Sequence, residues 1–531
     1  MNVESTILST MSSPTPTPPG PEGPALTHIA ALPTYFADAT PNAPALIEGD
    51  AALDWRAFKQ RSDALAARLV ARGVTPGDRV ALLAEPSIGY AVTLFACARI
   101  GAIYVGLNPR HTAEELRHVL DTTAPRVTLC RIDADDRDRV SRLDAAGCAQ
   151  PLPFAAAGPL DGLPETGAPA VATADDPGAA AAIVFTSGTT GRPKGATLAH
   201  RGLVQGAMIQ SRGLGLVAPR YLNNLPANHV GCLVNLTLAP LLTGGCIVFQ
   251  PRFDAAEVPR LIARHGITAW LQVPTMFTLV LGPGHEAGHD LSSLDAVAVG
   301  GGPLGPELLA RLRRLAPQVH VEYGQTELMS TVSFAPRGVS DEVLTATAGM
   351  PAPEIELRIS GGGEGGVLGP GETGEIQARG TACMSGYWGD DAATRAAFTD
   401  DGWLRTGDLG QLRADGNLVI VGRLSEMIKS GGYNVYPREV EQALEALSEV
   451  AEAAVFGRPH PVYVEAVHAA VTATAPVEPE RLRKLLKGTL ANYKIPRTIQ
   501  VMDALPRLPN GKIDRRLLAA ADGAAATDQL A

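Results

Sequence analysis

Residues Thr186 to Gly195 read TSGTTGRPKG: ten residues with three glycines, four hydroxyls and one lysine. The run AAAIVF (180–185) precedes them and suits a strand buried in a sheet. A strand that empties into a Gly-rich, hydroxyl-rich loop makes an anion site. Backbone N–H groups of the tight turn form a concavity, the hydroxyls add donors, and a lysine adds a compact charge. Phosphate is the matching guest. The spacing is not G-x-x-x-x-G-K-[ST], because Lys194 follows Pro193 and precedes Gly195.

Outward from this loop the chain alternates between helical and strand-like patterns. FKQRSDALAARLVARG carries apolar residues at helical spacing, and GDRVALLA reads as a short buried strand. YAVTLFACARIGAIYVGLNP predicts a helix running into a strand, and the rhythm returns at EVPRLIARHG–ITAWLQV and LGPELLARLRRLAP–QVHVEYG. Such alternation implies α/β units with largely parallel sheets. After about residue 360, GGGEGG, GPGETGEIQARG and DGNLVIVGR predict turns between short strands, hence a β-rich section. Past Arg423 two helical patterns, PREVEQALEALSE and EPERLRKLLKGTLA, flank the strand-like AVHAAVTATA, which predicts a small α+β domain. The expected division is a disordered leader (1–25, rich in Pro, Ser and Thr), a large domain (26–423), a small domain (424–518) and a frayed tail (519–531).

Composition narrows the function. A 531-residue chain exceeds one ordinary domain. Its net charge of -10 argues against a general nucleic-acid binder, so no nucleic-acid partner is expected. Six scattered cysteines without a CxxC pair, and no secretory signal, point to a reducing cytoplasmic setting. The uncharged stretch 231–251 holds Asn235, Pro240, Gly244 and Gly245, so it reads as buried core and no membrane partner is expected. The chain has only seven lysines among 45 basic residues. Three of them lie in Gly-rich contexts (RPKG, MIKSGG, PNGKID), where a compact mobile ammonium serves better than a planar guanidinium.

The TSGTTGRPKG loop resembles the phosphate-binding signature of the adenylate-forming superfamily, which includes the AMP-dependent acid–CoA ligases. The remaining signatures of that family follow in order: GGGPL at Gly300, YGQTE at Tyr323, GEIQARGTACMSGYW at Gly374, GWLRTGDLG at Gly402, GRLSEMIKSGGYNVYPREVE at Gly422 and PNGKID at Pro509. The resemblance spans roughly residues 30 to 517. It implies two doubly wound α/β subdomains plus a small β-rich subdomain, followed by a mobile C-terminal α+β domain. It also implies an enzyme that couples a carboxylic acid to ATP with Mg²⁺, releases pyrophosphate, and passes the acyl group to coenzyme A.

By this resemblance Thr186, Ser187, Gly188, Thr189, Thr190 and Lys194 cradle the β- and γ-phosphates. Glu327 holds Mg²⁺, and Thr326 meets the α-phosphate. Gly300, Gly301, Gly302 and Pro303, together with Glu322, Tyr323 and Gly324, enclose the adenine. Asp408 accepts the ribose hydroxyls, with Arg423 beside it. Lys512 bridges the incoming carboxylate and the α-phosphate, where charge grows in the transition state. His229 corresponds to a gate between acyl pocket and nucleotide, although a lone histidine beside apolar residues also fits a core group. Rotation of the small domain about Ser425 then exchanges Lys512 for Lys429, Gly431 and Gly432, which line the path of the pantetheine arm.

Two features depart from the family pattern. The hinge position, usually Asp or Lys, is Ser425. In GRPHPVYVEAV, His460 stands for an acid and Val464 for a glycine, which leaves the acceptor open between coenzyme A and a carrier protein in trans, an amine or another small nucleophile. The segments expected to line the acyl pocket (228–235, 271–277, 300–302, 328–332) contain no Arg, Lys, Asp or Glu. The expected substrate is therefore an uncharged aromatic or medium aliphatic monocarboxylic acid. An oxidative, luciferase-like outcome and a nucleotide-binding regulator without catalysis are the rival readings. Lys512, Glu327 and Asp408 argue against the regulator, which has no use for an adenylation lysine.

Overall fold

The computed structural model describes residues 23–132, 137–148, 151–154, 174–186, 192–282, 284–362, 366–430, 433–507 and 513–520. Most of the expected leader (1–22) and tail (521–531) lies outside the described residues, as do Ser187 to Gly191, Gly431, Gly432 and Lys512.

Two large sheets share one apolar core. The first has nine strands, in spatial order Met350–Pro351, Ser330–Phe334, Gln318–Gln325, Ala296–Gly300, Ala269–Gln272, Arg220–Asn223, Cys246–Phe249, Pro44–Glu48 and Ala51–Asp54. The second has seven: Gly386–Tyr387, Lys194–Ala199, Ala180–Thr186, Ile103–Leu107, Arg79–Leu83, Val127–Arg131 and Leu152–Phe154. Their central strands are parallel. The helices Ile88–Arg99 and His200–Leu214 lie between them, and Ile88–Arg99 is buried on nearly every side, as its largely apolar sequence requires. The outer faces are covered too. Trp270, Phe277, Val297 and Leu309 build a second core behind the first sheet. Ala81, Leu83, Leu116 and Leu143 build another behind the second. Both sheets are thus clothed on two faces, which explains their near-continuous apolar strands.

Helix ends are set locally. Asp54 caps Trp55–Ala71 by accepting the Ala57 N–H at 2.7 Å. Thr112 and Glu115 form a reciprocal capping box before Ala113–Thr123. The strands and helices read from the sequence on either side of the loop fall where expected: Trp55–Ala71, Arg79–Leu83, Ile88–Arg99, Ile103–Leu107, Val258–His265, Ala269–Gln272, Pro306–Leu315 and Gln318–Gln325. The uncharged 231–251 stretch is a π-helical turn (Gly231–Leu238), a short helix and a buried strand. Among the described residues no helix is long and apolar enough to cross a membrane.

The β-rich section is a four-stranded antiparallel sheet, Glu356–Ser360, Gly374–Arg379, Leu404–Leu412 and Leu418–Arg423. A short turn, Leu424–Glu426, leads from it into the small domain. There Tyr433–Val435, Ile428–Ser430, Val464–Ala473 and Val450–His460 form a sheet extended by Thr498–Val501. Strand alternation divides its side chains. Val455 and Val467 pack under the helices Pro437–Glu445 and Pro479–Leu486, while Ala454 and Phe456 meet Leu518 on the other face.

Candidate active site

In both large sheets the residues of interest gather at the carboxyl ends of parallel strands, where open α/β sheets place ligands. Thr186 ends one strand of the seven-stranded sheet and Lys194 begins its antiparallel neighbour, and the two are direct cross-strand partners. They fix both stems of the Gly-rich loop. Lys194 Nζ sits 5.1 Å above the ring of Tyr387, a cation–π contact that aims the ammonium. The hydroxyl of Tyr387 donates to Glu327 Oε1 at 2.9 Å, and the backbone N–H of Met384 donates to the Glu327 carbonyl at 2.8 Å. The phosphate loop, YGQTE and the GYW segment are thereby joined through one tyrosine. Burial and the nearby Glu327 carboxylate push the Tyr387 phenol upward, so it stays a donor.

The turn carrying Thr326 and Glu327 is held tightly. A Cβ on Gly324 would lie 1.4 Å from the Ser330 carbonyl oxygen, so only glycine fits there. Met329 and Ser330 take φ of 54° and 89°, left-handed values uncommon for such residues. Among the described residues no three His, Cys, Asp or Glu side chains cluster in metal-binding geometry. Glu327 is a single oriented carboxylate, of the kind that holds magnesium together with phosphate oxygens and water.

Asp408 is buried in the four-stranded sheet. Its Oδ2 accepts from the Tyr323 hydroxyl at 2.8 Å, and its Oδ1 lies 3.1 Å from Arg423 Nε. Asp408 and Arg423 are cross-strand partners, so their pairing is fixed by register. Each carboxylate oxygen has two lone pairs, which leaves acceptor capacity for a diol. Gly300 ends the strand that pairs with the one carrying Tyr323, and Gly301, just past it, has φ 71°.

The Glu322 carboxyl points away from Tyr323. The sequence groups its backbone with Tyr323 and Gly324 around adenine; the pleat turns its side chain to the opposite face of the strand from the Tyr323 ring. Gln210 Nε2 donates to Oε2 at 2.8 Å and Asn235 Nδ2 donates to Oε1 at 2.9 Å. Burial pushes this carboxyl up to about 7, with the two amides opposing the shift. The acyl-pocket segments, expected to be free of ionisable groups, therefore surround one.

His229 is exposed, not a core group, and stands just before the π-helical turn. Its Nδ1 accepts the Gly231 N–H at 3.0 Å, so in the neutral ring Nε2 carries the proton. Lys429 is exposed on Ile428–Ser430, and its N–H donates to Glu465 Oε2 at 2.8 Å. Val464, paired with Ser430, has φ 69°, a backbone that a β-branched residue adopts only under strain. The glycine expected there by family pattern would carry none. His460 Nδ1 accepts the N–H groups of Val462 and Tyr463 and so closes the turn before it.

Tyr387 and Gln210 received no role from the sequence. Tyr387 lies inside the GEIQARGTACMSGYW motif, and only its contacts assign its work. Gln210 could have been found: the helix His200–Leu214 has an inward stripe of Leu203, Ala207, Gln210 and Leu214, in which an amide replaces an apolar side chain.

Two largely parallel sheets thus bring Thr186, Lys194, Glu327 and Tyr323 to their strand ends, with Asp408 held against Tyr323 from the four-stranded sheet. The chain belongs to the AMP-binding enzyme family, matching it over residues 34–388 and matching the AMP-binding enzyme C-terminal domain over 439–512. It is 34% identical over 488 residues to a feruloyl-CoA synthase of an Amycolatopsis species, covering 91% of this chain and 97% of the relative. It is also 34% identical over 512 residues to the fatty acid–[acyl-carrier-protein] ligase ScoC of Streptomyces coeruleorubidus, covering 93% and 96%. Among solved structures it resembles the o-succinylbenzoate coenzyme A synthetase of Bacillus subtilis in complex with ATP and magnesium ion. There the TM-score is 0.79 and the identity 30%, covering 92% of this chain and 98% of that one.

Proposed function

We propose that this enzyme activates a monocarboxylic acid with ATP to an acyl-AMP, releasing pyrophosphate, and then transfers the acyl group to the thiol of coenzyme A. The observation that carries the reading is the Lys194–Tyr387–Glu327 chain, which ties the phosphate loop to the carboxylate beside Thr326. A carboxylate attacking a triphosphate brings two anions together, so the barrier is largely electrostatic. Lys194 and the loop Thr186 to Thr190 take the charge of the departing pyrophosphate. Glu327, oriented by Tyr387, holds magnesium, which when bound neutralises phosphate charge. Thr326 donates to the α-phosphate. Asp408, fixed by Tyr323 and Arg423, accepts the ribose hydroxyls and sets the α-phosphate in place. Gly300, Gly301, Gly302 and Pro303 with Tyr323 and Gly324 frame the adenine. His229 gates the passage between nucleotide and acyl pocket, with Nε2–H directed by the bond at Nδ1. Lys512 bridges carboxylate and α-phosphate. Rotation of residues 424–518 about Ser425 then brings Lys429, Gly431 and Gly432 to the site for thioester formation.

The family resemblance and the relatives' chemistry support this assignment. The absence of Arg and Lys from the expected pocket segments disfavours a second substrate carboxylate. Six cysteines that form no disulfide suit a reducing cytoplasm. One observation favours a second acceptor: ScoC is named for transfer to an acyl carrier protein. The test is pyrophosphate release against a panel of acids, with and without coenzyme A. Acid-dependent release that turns over repeatedly only with coenzyme A, with thioester seen by mass, supports the ligase. Release indifferent to coenzyme A moves the acceptor to a carrier protein. Release with no acid dependence overturns the proposal.

A further inference from the structure

Three of the four segments that the sequence assigns to the acyl pocket meet at Glu322. Asn235 donates to it, and a Cβ on Gly300 would lie 2.9 Å from its Oε1. Thr331 Oγ1 accepts from the same Asn235 amide at 3.0 Å. Gln210, wholly buried in the helix His200–Leu214, closes the fourth side. Glu322 remains partly accessible, while Gln210, Asn235, Thr331 and Tyr221 around it are buried.

The chemistry of this cluster is one-sided. Both amide NH₂ groups are spent on Glu322 and Thr331. The acceptor ends, Gln210 Oε1 and Asn235 Oδ1, are buried without a hydrogen-bond partner among the described residues. No cation answers them: among the described residues neither a hydrogen bond nor an ion pair gives Glu322 a Lys or Arg partner. Buried acceptors left unmatched cost free energy, and native sites tolerate them where a ligand supplies the donor.

We propose that Glu322, Gln210 and Asn235 form the polar end of the acyl pocket and select a carboxylic acid bearing a hydrogen-bond donor, O–H or N–H, remote from its carboxylate. The inference rests on the acid-activation reading above and deepens it. Glu322 is a specificity-determining residue: it touches the substrate's far end and not the reacting atoms. A second substrate carboxylate is repelled by the same group. An acid ending in a methyl group leaves the buried acceptors Gln210 Oε1 and Asn235 Oδ1 unpaired. Sites built to bond a hydroxyl reject the analogue lacking it by about 10⁴-fold.

The experiment is acid-dependent ATP–pyrophosphate exchange with matched sets: 4-hydroxy-, 4-amino- and 4-methyl-phenylpropenoates, and 8-hydroxy-, 8-amino- and unsubstituted octanoates. The wild-type enzyme is expected to favour a donor-bearing acid over its methyl counterpart by at least about 10²-fold in kcat/KM. Glu322→Leu should collapse or invert that ratio, and Glu322→Gln, which keeps the shape, serves if the leucine variant does not fold. A preference for 8-aminooctanoate that strengthens as pH rises through 7 identifies an ammonium, whereas one for the hydroxyl acids that does not strengthen identifies O–H. Wild-type exchange that favours the methyl acids, or a donor preference unchanged in both variants, overturns the inference while leaving acid activation standing. Exchange with no acid in either set or in a wider panel overturns both.

Discussion

Glu322 and Tyr323 are neighbours on one strand and serve opposite sides of it. Tyr323 reaches the four-stranded sheet and bonds Asp408. Glu322 reaches back into the large domain and bonds Gln210 and Asn235. The side proposed for the nucleotide is built from cross-strand pairs, Thr186 with Lys194 and Asp408 with Arg423, each set by sheet register. The acyl side is built from a helix (Gln210), a π-helical turn (Asn235) and a strand end (Gly300). Under the proposed assignment, recognition of the constant ligand rests on register, while recognition of the variable ligand rests on side chains from unrelated elements. The two halves of the site should therefore fail separately when perturbed.

The largest effect is expected on the shared chemistry. Lys512→Ala should slow adenylate formation by about 10²-fold or more with every acid, as loss of a transition-state donor does. Thioester formation from preformed acyl-AMP should suffer far less. Single-turnover assays of the two half-reactions check this, and equal loss in both would refute domain rotation. Asp408→Ala removes a charged acceptor and leaves Arg423 and Tyr323 without it. It should lower kcat/KM for ATP by about 10- to 100-fold, with the ranking of acids unchanged in competition assays. A smaller effect is expected of Tyr387→Phe, which deletes one hydrogen bond to Glu327. Activity should fall by about 3- to 10-fold, with a higher magnesium requirement in a titration of rate against Mg²⁺.

The smallest effect is one of stability. Glu322 holds its proton to about pH 7 in the folded chain but loses it near the ordinary glutamate value when unfolded. Between those values the folded state binds more protons, so the contribution of Glu322 to stability falls as pH rises from about 4.5 to 7. The facing groups are Gln210, Asn235 and the Tyr221 phenol, with no cation among them. Relative to Glu322→Gln, the wild-type Tm should drop by a few degrees across that window. Melting curves of the two proteins over the same pH range check it, and a Tm difference that does not change with pH would place the carboxyl in contact with solvent.

What the sequence revealed follows the same division. The Asp408 strand and the alternating helices and strands are local patterns, and their spacing or periodicity survives into the fold; of the phosphate loop, only the stems Thr186 and Lys194 lie among the described residues. The π-helical turn at Gly231–Leu238 left no such trace, because its register depends on what packs around it. Glu322 escapes its motif for a related reason. Its neighbour Tyr323 faces Asp408, and only the pleat of the strand shows that its own side chain does not. The strain at Val464 was visible as a departure from family pattern, but its left-handed backbone beside Ser430 emerged only from the chain's path.

On the proposed assignment one strand sorts two substrates, nucleotide on one face and acid on the other. The most direct test is to measure KM for ATP and for a donor-bearing acid side by side in Asp408→Ala and Glu322→Gln. A crossed pattern is expected. Asp408→Ala raises KM for ATP at least about tenfold more than KM for the acid, and Glu322→Gln does the reverse. If both variants shift the two constants together, the strand does not divide nucleotide from acid, and Glu322 belongs to the nucleotide site after all.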